Sequence, residues 1–84
     1  MQQTIIPWLD EFYDIYSRVH KLNHDNPNME IVNDLYRRMK EVEHKINDFT
    51  PGDEDYGAIN AKEAGNRGIR VMKAYFKSYG IEVK

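Results

Sequence analysis

The 84-residue sequence has no cysteine, only three prolines and one tryptophan, and no long uninterrupted hydrophobic run. The absence of cysteine excludes a disulfide framework and any thiolate zinc site. No apolar stretch approaches the roughly 18 residues that cross a bilayer, and the first nine residues lack the basic start and apolar block of a signal peptide. We therefore expect one small cytoplasmic domain spanning residues 1–84, since domains usually have about 50–200 residues.

The composition is that of a folded globular protein, with 40% hydrophobic and 31% charged residues. Its net charge of −2 conceals an asymmetry, because residues 1–30 and 31–56 each carry −3 while residues 57–84 carry +4. The basic C-terminal third could bind a phosphate-bearing ligand, or it could pair with acidic helices of its own or a neighbouring chain. Duplex nucleic acid is not an expected partner, because the isoelectric point is about 5.9 and no nucleic-acid motif is present.

Apolar residues at alternating spacings of three and four predict two amphipathic helices. The first, at about 5–22, has Thr4 as its N-cap, Pro7 in its first turn, and a seam formed by Ile5, Trp8, Phe12, Ile15, Val19 and Leu22. The second, at about 28–49, has a seam formed by Val32, Leu35, Met39, Val42, Ile46 and Phe49. The turn and cap residues at 23–28 separate the two helices.

A third helix, predicted at about 56–79, has small residues on the first half of its inner face and large ones on the second half. Because glycine costs about 1 kcal/mol relative to alanine in a helix, Gly65 and Gly68 need a compensating reason. We predict that they form, with Ala61, a close-contact surface for a bulky neighbour such as Trp8. Room for a ligand and a helix break near Gly65 are the alternatives. Gly80 is expected to end the helix in a left-handed conformation, with Ile81 folding back on Phe76.

These patterns predict an all-α fold, a three-helix domain whose helices pack antiparallel in chain order because their connections are short, followed by a tail at 80–84. Three long seams on so short a chain also predict a homo-oligomer. Its interface is expected to include seam residues and the tyrosines outside the main seams, which are Tyr13, Tyr36 and Tyr56.

Residues that could carry catalysis or bind a metal are nearly absent. His20 and His24 are four residues apart, a spacing that could place two imidazoles on one metal, but no third ligand lies nearby in sequence. The acids at 53–55 lack the spacing of a calcium-binding loop, and no nucleophile elbow or phosphate-binding glycine loop occurs. The sequence therefore predicts a protein that is not an enzyme and that has neither a cofactor nor a metal.

The best candidate binding surface lies on the third helix. At 100° per residue, one sector beside the apolar stripe contains Lys62, Asn66, Arg70, Lys73 and Lys77, and Arg67 stands further round. Such a row could hold phosphates through charge-assisted hydrogen bonds, or it could be a solvated basic face. With Tyr13 and Tyr36, these residues are the candidate ligand- or partner-binding residues.

The stretch from Asp25 to Phe76 resembles the helical hairpin of phage anti-CBASS cyclic-nucleotide sponges. The matching pieces are Asp25-Asn26-Pro27, Lys40-Glu41, Ile46-Asn47, Pro51 and Ala61-Lys62-Glu63-Ala64. The tryptophan of the family's last helix has no counterpart, since Trp8 lies in the first helix. The resemblance implies a helical oligomer that sequesters cyclic oligonucleotide signals without cleaving them, with tyrosines stacked on bases and Lys and Arg holding phosphates.

Two functions follow as hypotheses. The first is a small helical binding protein, of the inhibitor or adaptor type that phages and bacteria encode at this size, which sequesters a partner protein. The second is the cyclic-oligonucleotide sponge that the resemblance implies. Bound nucleotide released intact on denaturation would distinguish the sponge from the protein-binding inhibitor.

Overall fold

Three α-helices form the domain in a computed structural model that describes residues 5–83. They are α1 (Leu9–His20), α2 (Met29–Asp48) and α3 (Tyr56–Ser78). No strand occurs among the described residues. The predicted all-α class and helix packing are confirmed, and α3 runs without a break through Gly65.

The start of α1 differs from the sequence prediction. The helix begins at Leu9 rather than near Ile5, Pro7 lies in a turn before it, and Ile5 is 87% exposed instead of forming part of the seam. Proline disfavours the helical conformation of the residue that precedes it, so Ile6 cannot continue a helix into Pro7. Trp8 occupies the N-cap position without a side-chain cap bond, and the predicted cap Thr4 lies outside the described residues.

The other helix ends follow their local sequence. α1 stops at His20, two residues before the predicted end, and the Asn23 side chain then accepts a hydrogen bond from the Asp25 backbone. Asn28 caps α2 by accepting from the Glu30 and Ile31 amides. Asp55 caps α3 by accepting from the Ala58 amide at 3.1 Å. Each cap satisfies amides that have no partner within the helix.

The C-terminus of α3 is a Schellman motif built on Gly80, whose φ is +91°. The Ile81 amide donates to the Phe76 carbonyl at 3.1 Å, and the Gly80 amide donates to the Lys77 carbonyl at 3.0 Å. Ile81 is half-buried against the core. The geometry is the one that the glycine and the following apolar residue predict.

Ion pairs and ring contacts between helices define their directions. Glu11 pairs with Lys45 and Asp14 with Arg38, so α1 and α2 are antiparallel. Glu43 pairs with Lys73, and the Tyr36 and Phe76 rings lie 5.3 Å apart, so α2 and α3 are antiparallel as well. α1 and α3 therefore run side by side in the same direction.

One hydrophobic core lies between the three helices. Its fully buried members (Trp8, Ile15, Val19, Val32, Met39, Val42, Ile46, Met72 and Phe76) come from all three helices or their caps. The α1 and α2 seams, which were expected to contribute to self-association, are therefore largely used within a single chain.

The two helical glycines of α3 lie against the aromatic residues of the N-terminal segment. A Cβ built on Gly65 would be 3.0 Å from Trp8 Cη2 and 3.1 Å from Ile46 Cδ1. A Cβ on Gly68 would lie within 3.0 Å of the Phe12 ring. Both glycines are buried, and Ala61 is half-buried beside the core. The small residues thus lie where bulky rings from α1 approach α3.

Candidate functional site

The predicted basic row of α3 divides into two parts. Lys62 and Lys73 are half-buried and lie toward α2: Lys62 Nζ donates to the Phe49 carbonyl at 2.6 Å, and Lys73 Nζ pairs with Glu43 Oε2 at 2.5 Å. These two lysines hold α3 to α2. They are therefore contacts of the fold rather than free groups for a ligand.

Glu43 is the centre of that attachment. Its two carboxylate oxygens bind Lys40 Nζ at 2.7 Å and Lys73 Nζ, and its side chain is 17% exposed. Burial alone would raise the pKa of Glu43, but the hydrogen bonds from the two lysines outweigh it and hold that pKa below its usual value. The hydrogen bond to Glu43 likewise raises the pKa of Lys40.

The outer part of the row consists of the exposed Arg70 and Lys77 and the half-buried Asn66, and the exposed Arg67 lies beside it. Within residues 5–83, Arg67, Arg70 and Lys77 form no ion pair, whereas Arg18, Arg37, Arg38, Lys40 and Lys45 of the first two helices all do. Asn66, Arg67 and Arg70 line a shallow depression of about 290 Å³ together with Glu63. We call Asn66, Arg70 and Lys77 the outer α3 row. Its free guanidinium and ammonium groups can bind carboxylates or phosphates.

The candidate tyrosines are not gathered at the outer α3 row. Tyr36 is half-buried, with its ring edge-on to Phe76. Tyr13 is 60% exposed on α1, beside the Phe12 ring, and Tyr56 is 71% exposed at the start of α3. The structure therefore places Tyr13 on α1 and Tyr36 on α2, rather than beside Arg70 and Lys77 of the outer α3 row.

Sequence reasoning missed a cluster of rings where the C-terminal ends of α1 and α3 meet. The His20 ring lies 4.2 Å from that of Tyr16 and 4.9 Å from that of Tyr75, and His24 stacks on Tyr79 at 5.5 Å. Tyr79 Oη and His24 Nδ1 are 3.3 Å apart, and burial is the main cause that raises the pKa of Tyr79. The spacings of four between residues 16, 20 and 24 and between 75 and 79 are the signal that could have revealed it.

The same ring cluster contains His20 and His24, the two imidazoles whose spacing could place them on one metal. His20 Nδ1 contacts the Tyr16 carbonyl at 2.8 Å, so its ring is held by its own helix. No group of three or more His, Asp or Glu side chains that could hold a metal occurs in the described part of the chain. His24, Val71, Ala74, Tyr75 and Ser78 instead line a shallow groove of about 440 Å³.

Two other clefts lie outside the predicted site. One of about 510 Å³ between the C-terminal end of α1 and the start of α2 has Ile31 and Leu35 among its lining residues. The other, of about 360 Å³, borders Trp8, Lys45 and Phe49. Trp8 Nε1 is buried and has no hydrogen-bond acceptor among residues 5–83.

Comparison with protein-family models, with curated proteins and with solved structures found no match to this chain. None of the three described helices is both long enough and apolar enough to cross a membrane.

Proposed function

We propose that this chain is a small non-enzymatic helical protein that sequesters a partner protein, as phage or bacterial inhibitors of this size do, by docking the outer α3 row on an acidic surface. The observation that carries the proposal is the distribution of ion pairs. Five cations of α1 and α2 are neutralised within the chain, while Arg70 and Lys77 on α3 are exposed and unpaired among the described residues.

Unpaired cations on one face favour a partner of opposite charge. Complementary charges accelerate encounter and select the partner, and arginine is enriched among residues that dominate binding energy. Lys62 and Lys73 support the proposal in another way, because their bonds to α2 hold α3 on a rigid scaffold. The proposal includes a cytoplasmic location, which rests on the absence of cysteine.

The test is affinity capture with the tagged full-length chain from an extract of the cell that expresses it. We expect one protein in a fixed ratio, released by raised salt because screening weakens exposed charge pairs. The double variant Arg70→Glu, Lys77→Glu should no longer capture this protein. The control Lys21→Glu reverses an exposed cation without an ion pair within residues 5–83, and this cation lines the cleft between α1 and α2 rather than α3. This variant should still capture the protein. Capture that is indifferent to the double variant would contradict the proposal.

A second candidate, the cyclic-oligonucleotide sponge, is favoured by one observation. Arg67 and Arg70 border the same small depression with Asn66, an arrangement that could hold phosphate groups. Mass spectrometry of the denatured, freshly purified chain distinguishes the two functions. An intact cyclic oligonucleotide in stoichiometric amount supports the sponge, and its absence together with a captured partner supports the protein-binding inhibitor.

A further inference from the structure

The outward side of the α1–α3 pair is an unpartnered face. Because Trp8 lies against Gly65 and Phe12 against Gly68, residues of α1 and α3 at the same height along the bundle can be matched. Tyr13 on α1 is 60% exposed and Val71 on α3 is 41% exposed. We call this surface the α1–α3 face and define it by the exposed residues Asp10, Tyr13, Ser17, Arg67, Val71 and Ala74.

The two ionised groups of this face are opposite in sign and stand at its two outer edges. Asp10 comes two residues after Trp8, and Arg67 comes two residues after Gly65, so both lie at the same height. At 100° per residue, Asp10 is on the α1 side turned away from α3, and Arg67 is on the α3 side turned away from α1. Both are exposed, and neither forms an ion pair within residues 5–83.

We infer that the chain forms a symmetric dimer through the α1–α3 face, with the two-fold axis parallel to the helices. Rotation by 180° about this axis places α1 of each copy against α3 of the other. It leaves every residue at the same height along the bundle. Asp10 of each copy then meets the partner's Arg67, so that the complementary pair forms twice. Tyr13 covers the partner's Val71, which removes two exposed apolar side chains from water.

The alternative two-fold axis, perpendicular to the helices, is disfavoured by the same residues. It places α1 on α1 and α3 on α3. It also reverses height along the bundle, so Asp10 faces the partner's α1 and Arg67 faces the partner's α3, and the Asp10–Arg67 pairs cannot form. An axis at the height of these residues brings each of them against its own like-charged copy. Because like charges across an interface are repelled, only the parallel axis makes this face complementary to itself. The dimer uses neither Arg70 nor Lys77, so variants of these two residues distinguish it from the proposed partner site, although Arg67 borders the same depression as Arg70.

A charge-swap series on the full-length chain tests the dimer. Sedimentation equilibrium over a concentration series, at low ionic strength, should give the wild type a mass of twice 10.0 kDa. We expect Arg67→Asp and Asp10→Arg each to weaken dimerisation at least about tenfold, since each replaces two attractive pairs with two repulsive ones. The double variant Asp10→Arg, Arg67→Asp should restore it to within about threefold, because the pair is reversed but complementary.

Controls separate the dimer from folding and from the partner site. Circular dichroism should show an unchanged helix content in all variants, since every substituted residue is exposed in the single chain. Val71→Glu should also give monomers, whereas Lys21→Glu and the double variant Arg70→Glu, Lys77→Glu should remain dimeric. A wild type that stays at 10.0 kDa at high micromolar concentration overturns the inference, and so does a double swap that fails to rescue the single variants.

Discussion

The ring of Phe12 occupies the space that a Cβ of Gly68 would need. A Cβ at that position would lie 2.9 Å from Phe12 Cε2 and nearer still to Cζ, a distance that folded proteins essentially never show. One turn earlier, Gly65 has the same relationship with Trp8, although the distances of 3.0 and 3.1 Å are less severe. Two glycines in α3 thus set how closely α1 approaches it.

Alanine at these glycines should therefore lower stability, against the usual effect of a glycine-to-alanine change in a helix. We expect Gly68→Ala to cost about 1–3 kcal/mol by overpacking, Gly65→Ala to cost less, and Gly68→Leu to cost more. The matched control is Gly57→Ala in the first turn of α3. There the nearest atom to a Cβ is Asp55 Oδ1 at 3.8 Å, so the change should stabilise by up to about 1 kcal/mol. Urea unfolding checks all four, and a Gly68→Ala variant more stable than the wild type would contradict this packing.

Replacing Glu43 by glutamine should loosen the attachment of α3 to α2. The change weakens the bonds to Lys40 and Lys73, and we expect a loss of about 1–2 kcal/mol at neutral pH. Glu41→Gln is the control, since Glu41 is 53% exposed and, among residues 5–83, forms an ion pair with Arg37 alone. It should cost less than about 1 kcal/mol. Equal losses of unfolding free energy in the two variants would show that Glu43 contributes no more to stability than the exposed Glu41 does.

The stability that Glu43 contributes should also depend on pH. Its pKa in the folded chain lies below the ordinary value of 4.5, so in acid the unfolded state binds more protons than the folded state. The contribution is therefore complete above about pH 4.5 and is lost as the pH falls through the folded pKa. In urea titrations, the gap in unfolding free energy between the wild type and Glu43→Gln should narrow between pH 7 and pH 3. A gap that widens in acid would refute the assignment.

Gly80→Ala should destabilise the C-terminus of α3. An L-residue at a φ of +91° is strained, and we expect a cost of about 1–2 kcal/mol. The control Gly52→Ala changes a glycine that has neither a positive φ nor an atom within 4 Å of a Cβ, so it should be nearly neutral. Amide exchange at Ile81, whose N–H bonds the Phe76 carbonyl, should accelerate in Gly80→Ala alone.

The buried indole N–H of Trp8 should be dispensable for stability. A benzothienyl-alanine at this position replaces the N–H by sulfur with nearly the same shape. Since a buried donor without an acceptor costs about 1–3 kcal/mol, the replacement should be neutral or stabilising. Trp8→Ala, by comparison, should cost about 3–5 kcal/mol by leaving a cavity. A clear loss of stability on the sulfur replacement would reveal an acceptor for the N–H.

The helices and their order could be predicted from the sequence because seam spacing and caps are local signals. The seams of α2 and the Schellman end at Gly80 lie where the periodicity places them. The predicted start of α1 was wrong. The apolar spacing continues back to Ile5, but Pro7 prevents the helix from extending that far. A hydrophobic pattern alone does not reveal where the backbone stops being helical.

The candidate site could be predicted only in part, because helical spacing gives the direction of a side chain and not its partner. The sector that contains Lys62 and Lys73 was identified, but their bonds to Phe49 and Glu43 depend on how α2 packs. The ring cluster around Tyr75 was missed for the same reason, since its members come from distant parts of the chain. Neither the contacts of the two lysines nor the ring cluster can be predicted without knowing how the helices pack.

The position of Trp8 also has a consequence for the order in which the chain can fold as it is synthesised. Its ring contacts Phe12, Phe49 and Gly65, so its partners belong to all three helices or their ends. Trp8 leaves the ribosome early and Gly65 late. Until α3 has emerged, the part of the indole that lies against Gly65 stays uncovered even when α1 and α2 have already paired. The single tryptophan thus makes its own fluorescence a marker of completed folding on a nascent chain.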